Sequence, residues 1–133
     1  MAEKLKILIA EDEDVARQML QIAFRDGEQF ETRLVADGEE ALAAFKEWQP
    51  AIVLLDIVMP HMNGFTALTA IRKTLKDTAT TVIMVSSVTD KQDIVACVKL
   101  GIQGYVLKPF EVKTLAATVV GYHQKHKKVK TVS

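Results

Sequence analysis

Four short apolar runs punctuate the chain: Lys6 to Ala10, Ala51 to Leu55, Val82 to Val85 and Tyr105 to Leu107. Each is a near-continuous stretch rich in Ile, Val and Leu, the pattern of parallel strands covered on both faces. Phe30 to Ala36 mixes Glu31 and Arg33 among its apolar residues, which predicts an edge strand. Between the runs, apolar residues recur at helical spacing: Val15, Met19, Ile22 and Ala23; Ala41, Ala44, Phe45 and Trp48; Leu68, Ile71 and Leu75; Leu115, Val119 and Tyr122. Capping-box spacing at Asp37 with Glu40 and at Thr89 with Gln92 marks helix starts, while Gly27 and Gly101 mark helix stops. Five βα units without a repeat or linker predict an α/β fold. Right-handed crossovers make it a three-layer α/β/α sandwich, with a five-stranded parallel sheet in the order 2-1-3-4-5 and five helices.

Composition narrows the picture further. With 133 residues, 49% of them apolar and 26% charged, the chain fits a single core. Residues 1–124 are assigned to one domain, and residues 125–133, with Lys125, Lys127 and Lys128, to a basic C-terminal tail expected to fray. Basic and acidic residues are equal at 17 each, so the formal charge is zero. The expectation from this balance is no direct DNA binding and no membrane association, any nucleic-acid role needing another domain. No apolar run approaches the roughly twenty residues that span a bilayer, and Met1 to Lys4 leads directly into a strand, so the expected location is cytoplasmic. Cys97, the one cysteine, fits a reducing compartment, and its spacing with Ile94, Val98 and Gly101 predicts core packing.

Chemistry-bearing residues stand where the apolar runs end. Glu11 and Asp12 follow the first run, Asp56 the second, Ser86 the third and Lys108 the fourth. In an open parallel sheet these ends converge on one crevice. Three carboxylates, a hydroxyl and an amine there describe a site for a divalent cation and a phosphoryl group. Carboxylates about 4 Å apart repel by roughly 4 kcal/mol at an effective dielectric near 20. Protonation, a basic neighbour or a bound cation would each offset this, and an oxygen-only ligand set favours Mg²⁺ over zinc. Asp56, directly after Ile52-Val53-Leu54-Leu55, must be paired, coordinated or reactive at that depth. Glu13 and Asp14 read as a solvated pair suited to a helix N-terminus, His61 as a solvent-facing loop histidine and Trp48 as a helix-end packing residue.

The chain resembles the receiver domains of two-component response regulators, the CheY-like family with its flavodoxin-like topology. The likeness rests on Ile7-Leu8-Ile9-Ala10-Glu11-Asp12-Glu13, Leu54-Leu55-Asp56-Ile57-Val58-Met59-Pro60-His61-Met62-Asn63-Gly64, Val82-Ile83-Met84-Val85-Ser86-Ser87 and Gly104-Tyr105-Val106-Leu107-Lys108-Pro109-Phe110. Ser86 lies thirty residues after Asp56 and Lys108 fifty-two after it, the family's intervals. The resemblance runs from about Leu5 to Tyr122 and, with no fused output domain, is to a stand-alone receiver.

It implies that Asp56 accepts a phosphoryl group from a phosphohistidine, with Mg²⁺, or Mn²⁺ in its place, held by Asp12, Asp56, the Val58 carbonyl and, through water, Glu11. Lys108 and Ser86 are implied to hold phosphoryl oxygens, and the Lys108-Pro109 bond to be cis. Ser86 and Tyr105 are the implied switch pair, acting on a surface at about Asp90 to Gly101, Tyr105 to Lys108 and Glu111 to His123. The implied partners are a sensor histidine kinase or phosphotransfer protein and a downstream effector protein, for a monomer or a phosphorylation-linked dimer. Such a protein is a switch, not a turnover enzyme. Val58 and Val88, apolar where some relatives carry polar groups, are expected to lengthen the life of the acyl phosphate, and Asn63 replaces a frequent Asp. An acid two residues after Asp56, as haloacid-dehalogenase phosphatases need, is missing; an FMN cradle would be repelled by Glu11-Asp12-Glu13-Asp14. The competing expectation is a receiver fold used for docking or dimerisation without phosphorylation.

Overall fold

A computed structural model describes residues 3–132, with side chains placed for residues 3–128. The elements run β1 (Leu5–Ala10), α1 (Asp14–Ala23), β2 (Phe30–Val35), α2 (Gly38–Trp48), β3 (Ile52–Leu55), α3 (Gly64–Thr69, continued by a π turn over Ala70–Thr74), β4 (Thr81–Ser86), α4 (Lys91–Leu100), β5 (Gly104–Leu107) and α5 (Val112–Val132). All strand pairs are parallel and the order is β2-β1-β3-β4-β5, as the apolar runs predict. Side chains alternate between the two faces of the sheet. Leu8, Ala10, Val53, Leu55, Val82 and Met84 pack under α2, α3 and α4 on one side. Ile7, Ile9, Ile52, Leu54, Ile83 and Val85 pack under α1 and α5 on the other. Apolar burial on both faces explains why these strands read as unbroken runs.

Several local expectations are corrected. In α1, Val15 and Ile22 are 70% and 49% exposed, and Leu20 is the buried residue. Two apolar stripes overlap in Asp14–Ala23, and packing against α5 selects the one through Ala16, Leu20 and Ala23. The cap of α4 is Asp90, not Thr89: its carboxylate accepts the Gln92 and Asp93 N–H groups. Helix α1 stops at Ala23, ahead of Gly27, with Phe24 turned inward edge-on to Phe30. Gly101 does cap α4, at φ 107°. Asp37 and Asn63 cap α2 and α3 through the Glu40 and Thr66 N–H groups.

The π turn has no counterpart in the periodicity. Leu75 N–H reaches back to Ala70 O at 2.9 Å, and the extra residue turns Leu75 outward and Arg72 inward. Arg72, 8% exposed, donates to Gly101 O, Asp77 O, Thr80 O and Gln103 Oε1 at 2.9–3.0 Å. It thereby ties the end of α3 to the cap of α4 and the approach to β4. Helix α5 continues through the segment assigned to a basic tail, and the His126 ring nitrogen Nε2 lies 3.0 Å from Ala79 O. Met1, Ala2 and Ser133 lie outside the described residues. No helix among those described is long and apolar enough to cross a membrane.

Candidate functional site

The backbone ladder carries on one residue past several strands. Glu11 N–H donates to Val35 O (3.0 Å), Asp56 N–H to Ala10 O (3.2 Å) and Lys108 N–H to Ser86 O (3.0 Å). Three site residues are thus fixed by sheet hydrogen bonds at the C-terminal edge of the sheet, where the crevice of a doubly wound fold lies. Glu11, Asp56 and Ser86 are 1%, 5% and 0% exposed, while Asp12 reaches solvent. Carboxylate oxygens of Glu11, Asp12 and Asp56 all lie within 4.8 Å of one another.

Of the three ways to offset carboxylate repulsion, a basic neighbour is present. Lys108 Nζ donates to Asp56 Oδ2 at 2.8 Å and lies 2.5 Å from Glu11 Oε1. Among the described residues this ammonium is the one contact of the buried Glu11 Oε1, which meets no other donor. Oε2 accepts the Glu13 N–H at 3.2 Å. Burial raises the Glu11 pKa, with Asp56 adding to the rise and Lys108 opposing it. Burial also works against the Lys108 ammonium, but the Asp56 and Glu11 carboxylates outweigh it and hold its pKa above the ordinary lysine value. Glu13 is not merely solvated, since its Oε1 reaches Lys108 at 3.4 Å from the exposed side. The Lys108-Pro109 bond is cis, as the resemblance implies.

The loop after β3 is held at both ends. Asp56 Oδ1 accepts the Val58 N–H at 3.3 Å, and Gly64 N–H donates to Ile57 O at 2.9 Å. A Cβ on Gly64 would stand 2.0 Å from Asp56 O, so only glycine allows the helix to start this close. His61, although mostly exposed, places Nδ1 2.8 Å from Asp37 Oδ2 and so joins the loop to the cap of α2. The Glu40 N–H and then His61 hold the Asp37 carboxyl below its usual range, and Asp37 in turn raises His61.

Ser86 and Tyr105 meet at Val88. Ser86 Oγ accepts the Val88 N–H at 3.2 Å, and the Tyr105 hydroxyl donates to Val88 O at 2.6 Å. Tyr105 is half-buried; burial raises its phenol pKa, and the neighbouring Ser86 hydroxyl opposes the rise. Val58, by contrast, points its side chain to solvent at 63% exposure. Trp48 stands at the far end of the sheet, with Arg33 stacked 4.8 Å from its ring centre and Lys6 at 5.6 Å. Cys97 is buried in the core, which raises its thiol pKa.

Glu11, Asp12, Asp56 and Lys108, scattered over the sequence, therefore meet in one crevice, with Ser86 at the end of β4 held to Lys108 by a backbone hydrogen bond. The response regulator receiver domain family matches residues 7–120, and the chain belongs to that family. Among similar proteins, the DNA-binding response regulator MtrA of Mycolicibacterium smegmatis is 38% identical over 86% of this chain and 48% of that protein. The transcriptional regulatory protein CseB of Streptomyces avermitilis is 37% identical over 90% of this chain and 49% of that protein. The chain spans about half the length of these relatives. The chemotaxis protein CheY4 of Vibrio cholerae superposes with a TM-score of 0.81 at 28% identity, covering 90% of this chain and 99% of that one. A CheY-like receiver of Methanospirillum hungatei gives 0.82 at 25%, covering 95% and 98%.

These relatives overturn the expectation of no direct DNA binding, which rested on net charge alone: MtrA is named as a DNA-binding regulator. The balance of charge in one domain does not report what a longer protein contacts. Receiver domains are signalling switches of two-component systems, not turnover enzymes.

Proposed function

We propose that this chain is a phosphorylation-activated switch in which Asp56 takes a phosphoryl group from a histidine kinase or phosphotransfer protein. The observation that carries this reading is the Asp56 carboxylate, almost fully buried, bonded to Lys108 at 2.8 Å and clustered with Glu11 and Asp12. One Asp56 oxygen attacks phosphorus, the P–N bond to the donor imidazole breaks, and its electron pair leaves with the ring nitrogen. Phosphoryl transfer needs little covalent help beyond positioning and charge neutralisation. Lys108, already beside the nucleophile, holds a phosphoryl oxygen, and the Ser86 hydroxyl donates to another.

The donor set also suits a hard divalent cation, since carboxylate oxygens of Glu11, Asp12 and Asp56 cluster and every candidate ligand is an oxygen. Asp12, Asp56 and the Val58 carbonyl would hold Mg²⁺, with Glu11 acting through water, and the ion would supply further neutralisation of phosphoryl charge. As Ser86 turns to the phosphoryl group, its bond to Val88 weakens and Tyr105 shifts with the β4–α4 turn. The output surface is α4, β5 and α5, and a downstream protein reads it.

Intact mass after incubation with acetyl phosphate or phosphoramidate tests this. A gain of one phosphoryl group that requires Mg²⁺ and is lost in Asp56→Asn is expected. No gain from folded protein under any condition would leave a docking module that works without phosphorylation.

A further inference from the structure

Between Asp56 and Gly64 the Val58 carbonyl sits in a loop held by two different kinds of force. Met59 is buried in the core, with Ile57 and Met62 packed partly against it. Such packing is non-directional, so it keeps the loop down without aiming its carbonyls. Aim comes from hydrogen bonds, which weaken steeply when bent. At the near end these are the bonds from Val58 N–H to Asp56 Oδ1 and from Gly64 N–H to Ile57 O. At the far end both lead to the start of α2. Gly38 N–H donates to Met62 O at 2.8 Å, and a Cβ on Gly38 would collide with that carbonyl. Beside it, His61 Nδ1 meets Asp37 Oδ2 at 2.8 Å.

The His61 tether is unusual in two ways. The residue takes a left-handed backbone, φ 63°, which is uncommon for a side chain with a Cβ. Its two partners also differ in burial. Asp37 is 5% exposed and gives its other oxygen to the Glu40 N–H, so the carboxylate is fixed from behind. The His61 side chain keeps 68% of its surface in water and exchanges protons freely with it. The charged groups facing the ring are all acidic: Asp37 itself, then Glu39 and Glu40 in the first turn of α2. They raise the imidazole pKa above 6.5, the hydrogen bond to Asp37 contributing most. The tether is therefore a pair of full charges at pH 6.5 and below, and becomes a neutral donor on a carboxylate as pH rises through the raised value.

We propose that His61, held by Asp37, is a positioning residue for the divalent cation: the clasp orients the loop that presents the Val58 carbonyl, and its grip is graded by pH. The inference rests on the cation-assisted phosphoryl switch proposed above and adds a control on it. While His61 is protonated the charged clasp holds the loop and the site is most complete. Once the ring is neutral the grip loosens and the ion is held less well. A clasp with a structural role alone would leave cation affinity untouched.

The test titrates Mg²⁺ alone into the full chain, followed by amide NMR shifts of residues 56–64, at pH about 6 and about 9. His61→Asn keeps a residue that tolerates the left-handed backbone and loses the titrating ring. Asp37→Asn keeps an equally good helix cap and loses the charge. The same spectra report whether each variant is folded. Mg²⁺ binding roughly threefold weaker in either variant at the lower pH, and nearly that of the wild type at the higher, is expected. The His61 ring pKa, read from its carbon-bound protons, should fall back toward 6.5 in Asp37→Asn. The raised Glu11 pKa acts in all three proteins, so the ratio of affinities carries the result. A ratio of one at both pH values, the same ratio at both, or no Mg²⁺ binding by the wild-type chain would overturn the proposal. A pH-dependent ratio in a chain that acetyl phosphate does not label would uphold the clasp and refute the phosphoryl switch. Labelling of Asp56 with Mg²⁺ affinity blind to both substitutions would keep the switch and remove His61 from it.

Discussion

Replacing Lys108 with Met removes, among the described residues, the one basic group that the crevice carboxylates contact. Its Nζ lies 2.8 Å from Asp56 Oδ2 and 2.5 Å from Glu11 Oε1. Each such pair gains about 6 kcal/mol at an effective dielectric near 20, against a desolvation cost of several kcal/mol for the ammonium. Removing one partner of a buried pair typically costs about 3–5 kcal/mol. Because the Lys108 side chain keeps 12% exposure, the lower end applies. The expected loss is about 3 kcal/mol in urea unfolding near neutral pH with EDTA present, or roughly 10–15 °C in Tm for a domain of this size.

The sign of the pH dependence follows from Glu11. Its folded pKa is raised above 4.5, so its ionised form costs stability at higher pH and the cost vanishes below 4.5. The deficit of Lys108→Met therefore narrows as pH falls toward 4.5. Asp56→Asn should rescue part of the loss, with a coupling of at least about 1 kcal/mol in a double-mutant cycle. A deficit below about 1 kcal/mol, or the same deficit with and without Asp56, would refute the account.

Arg72→Met strands three backbone carbonyls, leaves Gln103 Oε1 with only the Val82 N–H, and should cost about 3 kcal/mol by chemical denaturation, whereas Arg72→Lys, keeping a charge without the planar fork, should fall between. His123 Nδ1 meets Thr81 Oγ1 at 2.7 Å in the interior, and burial, then Lys127 and His126, lower its pKa below 6.5. Stability tied to neutral His123 is thus present above pH 6.5 and lost as pH falls below it, and the slope should flatten in His123→Asn when Tm is followed against pH. Val58→Asn with Val88→Glu should shorten the acyl-phosphate lifetime by roughly tenfold, as expected for a positioned general base. Unchanged loss of label from the isolated phosphoprotein would remove these two positions from any role in timing.

The sheet was legible because burial on both faces leaves a strong signature in Ile7-Leu8-Ile9 and Ile52-Val53-Leu54-Leu55. The meeting of Glu11, Asp12, Asp56 and Lys108 was legible for a related reason: a charge directly after such a run has nowhere to go but the sheet edge. Arg72 was not, since a lysine or arginine at helical spacing ordinarily faces water, and only the π turn carries it inside. The His61–Asp37 contact spans 24 residues and depends on where two loops meet, which periodicity does not encode. Val15 and Ile22 failed because two stripes fit the same helix equally well, and only α5 decides between them. Gln103 illustrates the same limit: its side chain accepts from both Arg72 and the Val82 N–H, a junction invisible in local sequence.

Ser86 and Tyr105 both touch Val88 through its backbone, one at the N–H and the other at the carbonyl. Neither contact asks anything of the side chain at that position. The side chain at position 88 can therefore change without disturbing either bond, since both use peptide atoms common to every amino acid except proline at the N–H. If the proposed switch runs through these bonds and the Val88 side chain sets its timing, duration and content of the signal are separately heritable, and timing can be retuned without rebuilding the part that reports it.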